Sequence, residues 1–216
     1  MTDSAQLGGG YAESNPDPHP TVAAVLAAAS SGCASARLLI LAGPPGVGKS
    51  TAATSILGYL PHAIVVEKDL IASGFVLQAA RDRNEPTSGA YGSKHYWQTI
   101  RPLEYAGATG LACANLVGTR TVLLVGGWGP ELAVCRLWTE LTTIVAPARL
   151  SVVHLEAPPS ETWRQRLSAR GSRADSPWFE TFAAAVSGQP VWPLAHRIPT
   201  DQAPAAVVGQ ILAALD

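Results

Sequence analysis

The chain has 216 residues, of which 47% are hydrophobic and 14% charged, and its formal net charge is −1. That length suits one α/β domain with a real core. The near-neutral balance argues against a general cationic surface for nucleic acid or anionic lipid, and no apolar run approaches the roughly 18 residues of a membrane span.

Residues 1–20 are rich in Gly, Pro, Ser, Asn and Asp and read as a flexible tail, without the basic segment and apolar run of a signal peptide. The remainder, 21–216, reads as a single domain. Thr21 to Ala29 predicts a short helix. Arg37 to Leu41 is an apolar run that breaks into Gly-Pro-Pro-Gly, the pattern of a buried strand entering a loop. A helix is expected over Lys49 to Leu60, a strand over Ala63 to Val66, and a helix over Leu70 to Arg81. Asn84 to Ser93 is turn-rich, and Lys94 to Leu116 is a long helical region, interrupted or started anew at Pro102. Thr121 to Val125 is a third strand, and Pro130 is placed to open a helix running to Val145. Ser151 to Leu155 is a fourth strand, and Ser160 is expected to cap a helix over Glu161 to Arg170. A helix over Pro177 to Ser187, a strand over Leu194 to Ile198 and a last helix after Asp201 complete the pattern. Short apolar strands alternating with helices predict a parallel five-stranded sheet covered on both faces, an α/β three-layer sandwich. The cysteines, Cys33, Cys113 and Cys135, are odd in number and far apart, so reduced buried thiols in a cytoplasmic protein are expected, not a disulfide framework or a metal site.

Gly43-Pro44-Pro45-Gly46-Val47-Gly48-Lys49-Ser50 matches G-x-x-x-x-G-K-[ST] in full, between an apolar strand and a helix. Glycines there let backbone N–H groups surround phosphates, and the helix start that carries Lys49, Ser50 and Thr51 adds its positive dipole end. Lys49 is expected on the β and γ oxygens, and Ser50 on Mg²⁺. ATP and Mg²⁺ are the implied cofactors.

Glu67-Lys68-Asp69 follows the second strand, at the sheet end that faces the ligand crevice. Asp69 is the candidate base for an acceptor hydroxyl. Glu67 is the second candidate base at the acceptor, and the alternative is that it holds a metal-bound water. Arg166 and Arg170 share one helix face, and Arg173 follows Gly171; arginines on a mobile cover would neutralise a transferring phosphoryl group. A solvated basic helix, paired with Glu161 or Asp175, is the alternative for the cluster and for Arg164 alone. Tyr96, Trp97, Arg101 and Trp128 are candidates for the acceptor wall, with core packing as the alternative for the tryptophans and for Tyr105.

GPPGVGKS, EKDLI, the R-L-x-x-R-G stretch at Arg166 to Gly171 and the late HRIPTDQAP segment together resemble the small P-loop kinases of the zeta toxin, chloramphenicol phosphotransferase and polynucleotide kinase group, an AAA_33-type ATPase family. The resemblance covers Arg37 to Leu215. It implies a nucleoside-kinase-like fold with an arginine lid, Asp69 as base, Arg166, Arg170 and Arg173 in the lid, and the turn at Ile198-Pro199-Thr200 beside the adenine. One departure is that Val122 to Val125 runs into Gly126-Gly127-Trp128, with no acid at the usual Walker B position. The reading is therefore a phosphotransferase acting on a hydroxyl-bearing small molecule, an antibiotic or specialised metabolite. A slowly hydrolysing nucleotide binder and a zeta-like toxin acting on a nucleotide sugar are the alternatives. The low content of lysine and arginine argues against a polynucleotide substrate.

Overall fold

The computed structural model describes residues 17–172, 174–175 and 178–215. In chain order its regular elements are α1 (His19–Ala28), β1 (Arg37–Ala42), α2 (Lys49–Leu57), β2 (Ile64–Glu67), α3 (Lys68–Asp82), α4 (Arg101–Ala114), β3 (Thr121–Val125), α5 (Cys135–Val145), β4 (Arg149–Leu155), α6 (Ser160–Ala169), α7 (Trp178–Ser187), β5 (His196–Ile198) and α8 (Pro204–Ala213).

The five strands form one sheet in the order β2-β3-β1-β4-β5, every pairing parallel. β1 is central and apolar from Leu38 to Ala42, as a strand buried on both faces must be. Its alternation divides the core. Leu38, Ile40 and Ala42 face α1, α4 and α5, where Val25, Tyr105, Ala112, Trp138 and Leu141 pack. Leu39 and Leu41 face α2 and α8, against Ile56, Val208 and Ile211. Each fully buried Leu or Ile contributes about 2 kcal/mol of apolar transfer, and both layers are filled from one strand. Parallel strands put all their carboxyl ends on one edge, so the loops after β1, β2, β3 and β4 converge there.

Several elements differ from expectation, each for a local reason. α1 starts at His19, inside the segment read as tail, with Pro18 at its N-cap. Ser160 does not cap α6: it is the first helical residue, and Pro159 (φ −48°) sets the entry without a side-chain cap. The helix expected from Pro130 to Val145 is broken into a 3₁₀ turn over Gly129–Ala133 and α5. Trp128 ahead of it has φ 56°, and Glu131 within it is turned fully inward to Arg101. The expected helix over 94–116 is a π turn, Tyr96–Ile100, followed by α4, with Pro102 in the first turn where its missing N–H costs nothing. Of the cysteines only Cys113 is buried; Cys33 and Cys135 are exposed, and all three are free thiols. Among the described residues no helix is long and apolar enough to cross a membrane.

Candidate functional site

The loop from β1 to α2 is built on three glycines at positive φ: Gly43 at 143°, Gly46 at 81° and Gly48 at 96°. A side chain at Gly43 would also meet the Leu155 carbonyl oxygen at 2.5 Å, so β4 passes directly behind the turn. No backbone carbonyl outside the helix accepts from the amides of Gly46, Val47 or Gly48, which leaves these donors for a ligand, as in a phosphate-binding nest. Lys49 Nζ bridges the loop, donating to the carbonyls of Gly43 (2.7 Å) and Pro44 (2.9 Å). Burial pushes the Lys49 pKa down to about 8; Asp69 opposes that, while Arg170 and Lys68 reinforce it.

Ser50 Oγ donates to Glu67 Oε1 at 2.6 Å, joining the phosphate loop to the end of β2. The acid missing after β3 thus has a counterpart one strand over. Among the described residues no three His, Cys, Asp or Glu side chains gather into a metal cage. The Ser50–Glu67 pair offers hard oxygens of the kind Mg²⁺ takes when it keeps most of its ligands as water and phosphate.

Asp69 stands in the first turn of α3 with its side chain 45% exposed. Its Oδ1 accepts from Lys68 Nζ at 2.6 Å. Burial raises the carboxyl pKa, but the charge and hydrogen bond of Lys68, then Lys49 and Arg170, outweigh it and hold Asp69 below the ordinary carboxylate value. Lys68 is itself buried, bonded also to Glu104 Oε1 at 2.9 Å, and Glu104 Oε2 accepts from the Tyr96 hydroxyl at 2.8 Å. Arg101 completes the nest: it forks onto Glu131 at 2.9 and 2.6 Å and stacks at 4.4 Å on both Trp97 and Tyr105.

This nest corrects the expected acceptor wall. Tyr96, Trp97 and Arg101 are each at most 5% exposed, and Trp128 is fully covered between Tyr105 and Trp138. Tyr96 and Arg101 are drawn inward because buried carboxylates at Glu104 and Glu131 need partners, while Trp97 packs its ring on Arg101 and Trp128 packs between Tyr105 and Trp138. They brace the floor beneath Asp69, and none lines the cleft described next.

A cleft of about 600 Å³ opens beside the loop, lined by Gly46 to Ala52 and Ser55, by Arg166, Ala169 and Arg170, and by Thr200, Gln202, Pro204, Val207 and Val208. Arg166 is anchored: its NH2 group donates to the Thr200 carbonyl at 2.9 Å, and the Thr200 hydroxyl donates to the Glu156 carbonyl at 2.8 Å. Arg170 follows α6 with its charge felt by both Lys49 and Asp69. Arg173 lies outside the described residues. Arg164 pairs with Glu180 of α7 and stacks on Phe179. Three contributors escape sequence reading: Lys68 and Glu104, whose partnership spans 36 positions, and Trp163, whose indole reaches the phosphate loop.

The cleft thus unites a phosphate loop, two arginines and an apolar end at the α8 start. The AAA domain family AAA_33 matches residues 38–186, well over half the chain. The chain belongs to this family. No curated protein matches it as a relative. Three solved structures share the fold of this AAA_33 protein. A gluconokinase from Sinorhizobium meliloti is 16% identical with a TM-score of 0.54, covering 83% of this chain and 91% of its own. A sugar kinase from Janibacter sp. is 19% identical with a TM-score of 0.52, over 84% and 95%. The tunicamycin resistance protein of Deinococcus radiodurans is 22% identical with a TM-score of 0.53, over 82% and 94%. The fold is that of P-loop kinase-like proteins.

Proposed function

We propose that this AAA_33 protein is an ATP-dependent phosphotransferase that moves the γ-phosphoryl group to a hydroxyl of a small molecule, an antibiotic or specialised metabolite. One observation carries the reading: Lys49 and Arg170 line one cleft at the phosphate loop, and the Ser50–Glu67 hydrogen bond ties that loop to the strand end where Asp69 opens α3. The amides of Gly46 to Lys49 and Thr51 would hold the triphosphate, and Thr200 and Val207 would line the base. Lys49 and Arg170 neutralise charge on the transferring group, and Arg166 holds the cover to the base-side turn. Magnesium, bound with the triphosphate, supplies further charge neutralisation; Ser50 Oγ and a water on Glu67 fit it. Asp69 Oδ1 is committed to Lys68, which leaves Oδ2 to accept the acceptor's hydrogen bond. As the acceptor oxygen bonds to Pγ, the hydroxyl proton passes to Asp69 and the Pγ–O bond to ADP breaks. A polyhydroxy acceptor fits the kinase-like neighbours, one of which is named a gluconokinase and one a sugar kinase.

The test is a panel of sugars, polyols and hydroxylated antibiotics incubated with Mg-ATP and read for gain of one phosphoryl mass. Transfer to at least one member is expected. Asp69→Asn should keep Mg-ATP affinity and lose about 10²- to 10⁴-fold in transfer rate, the usual worth of general-base help. Full transfer by Asp69→Asn removes the residue from the mechanism. Mg-ATP binding without transfer to any member favours the second reading, a nucleotide binder, to which the glycine pair after β3 lends support.

A further inference from the structure

Pro44 and Pro45 give the phosphate loop an unusual constraint. Neither has an N–H to offer, and the Gly43 N–H is engaged with the Gly127 carbonyl at 3.3 Å. Gly46 therefore supplies the first loop amide whose N–H no backbone carbonyl takes. Its direction depends on the Pro45–Gly46 peptide, because a planar trans peptide points its N–H opposite to its C=O. With glycine at φ 81° this peptide has no side chain of its own to fix it.

The carbonyl of that peptide has a partner. Trp163 Nε1 donates to Pro45 O at 2.7 Å, across 118 positions of sequence. Trp163 is 1% exposed, and its ring is wedged by Phe179 and Phe182 at 5.6 and 5.0 Å. A side chain at Gly46 would meet Leu167 at 2.9 Å and Trp163 at 3.3 Å, so α6 closes this side of the loop completely. The indole is a rigid donor, and the aromatic cluster holds it.

We propose that Trp163 is a positioning residue for the phosphate loop: by holding the Pro45 carbonyl it turns the Gly46 N–H toward the triphosphate. This rests on the nucleotide site proposed above. The helix that carries Arg166 and is followed by Arg170 thereby also shapes the anion nest, so lid and loop are prepared by one side chain. Trp163 touches no reacting atom; its effect runs through the Gly46 amide.

Trp163→Phe keeps most of the ring and removes the N–H. Calorimetry with Mg-ATP, chemical-shift titration with adenosine and a thermal melt test it, alongside Phe182→Leu, which thins the same aromatic cluster but leaves the indole donor. Loss of one well-oriented amide predicts about five- to tenfold weaker Mg-ATP binding in Trp163→Phe. Adenosine, which lacks phosphate, should bind within about twofold of wild type, and Phe182→Leu should melt lower with near-wild-type Mg-ATP affinity. Unchanged Mg-ATP affinity in Trp163→Phe overturns the inference alone. So does a parallel weakening of ATP and adenosine in both variants, which would mean lost packing only. Wild-type protein that fails to bind Mg-ATP overturns the nucleotide reading together with this one.

Discussion

His154 shows how a residue can be part of the site's frame without touching a ligand. It sits on β4 beside Gly43 and Pro44, in the lining of a small cavity behind the phosphate loop, and its Nδ1 has no hydrogen-bond partner. Burial pushes its pKa down to about 4; Glu156 opposes this, and Arg197 and Lys49 add to it. The unfolded chain thus binds more protons than the native one between about pH 6.5 and 4. Stability should fall as pH drops through that window and the penalty should be complete below it. Allowing for partial exposure, denaturant titrations should show a loss on the order of 2 kcal/mol by pH 4, and His154→Leu should flatten that slope. An equal slope in the variant would place the acid sensitivity elsewhere.

At the scale of elements, α6 and the residue that ends it divide two arginines, Arg166 and Arg170, between different tasks. Arg166 is tied to Thr200, so Arg166→Ala should loosen the base-side turn and weaken Mg-ATP binding by about three- to tenfold. Arg170 has no such anchor and faces Lys49 and Asp69, so Arg170→Ala should lose more in kcat than in nucleotide affinity. Initial-rate kinetics beside calorimetry separate the two; equal effects on both parameters in both variants would contradict the division. Much of this region is legible in the sequence because its signals are local. The glycine spacing, the apolar runs of β1 and β3 and the helical spacing of Arg166 and Arg170 all lie within a few residues of one another. The partners are not legible. Nothing near Ser50 points to Glu67, and Lys68, Arg101, Glu104 and Glu131 read as surface or substrate-facing charges until the sheet brings them together. Trp97 and Trp128 are open to two readings for the same reason: aromatic residues serve pockets and cores alike, and only the packing of their rings, on Arg101 and between Tyr105 and Trp138, decides between them.

For the molecule as a whole, the largest local liability is the ionic nest under the acceptor side. The Arg101–Glu131 pair is almost wholly buried, so its net contribution is small while the cost of breaking it is large. Arg101→Met should cost about 3–5 kcal/mol of unfolding free energy, because it strands the Glu131 carboxylate. Arg101→Met combined with Glu131→Leu should recover most of that loss. Urea titration of the single and double variants checks this, and a double variant as unstable as the single would show that the pair is needed for more than mutual neutralisation.

The aromatic cluster of α6 and α7 carries a different consequence. Trp163, Leu167, Trp178, Phe179 and Phe182 form a core of their own, apart from the two that line the sheet. Elements with separate cores open separately, as cooperative units with their own free energy. The α6–α7 hairpin can therefore lift away while the sheet stays intact, and its amides should exchange with solvent through an opening smaller than global unfolding. A bound nucleotide touching both Arg166 and the loop would have to be released before that opening, so ligand should slow exchange in the hairpin more than in β1 or β3. On the phosphotransferase reading proposed above, product release and local unfolding become two readings of one hinge, and turnover is tied to how firmly this small aromatic core is closed.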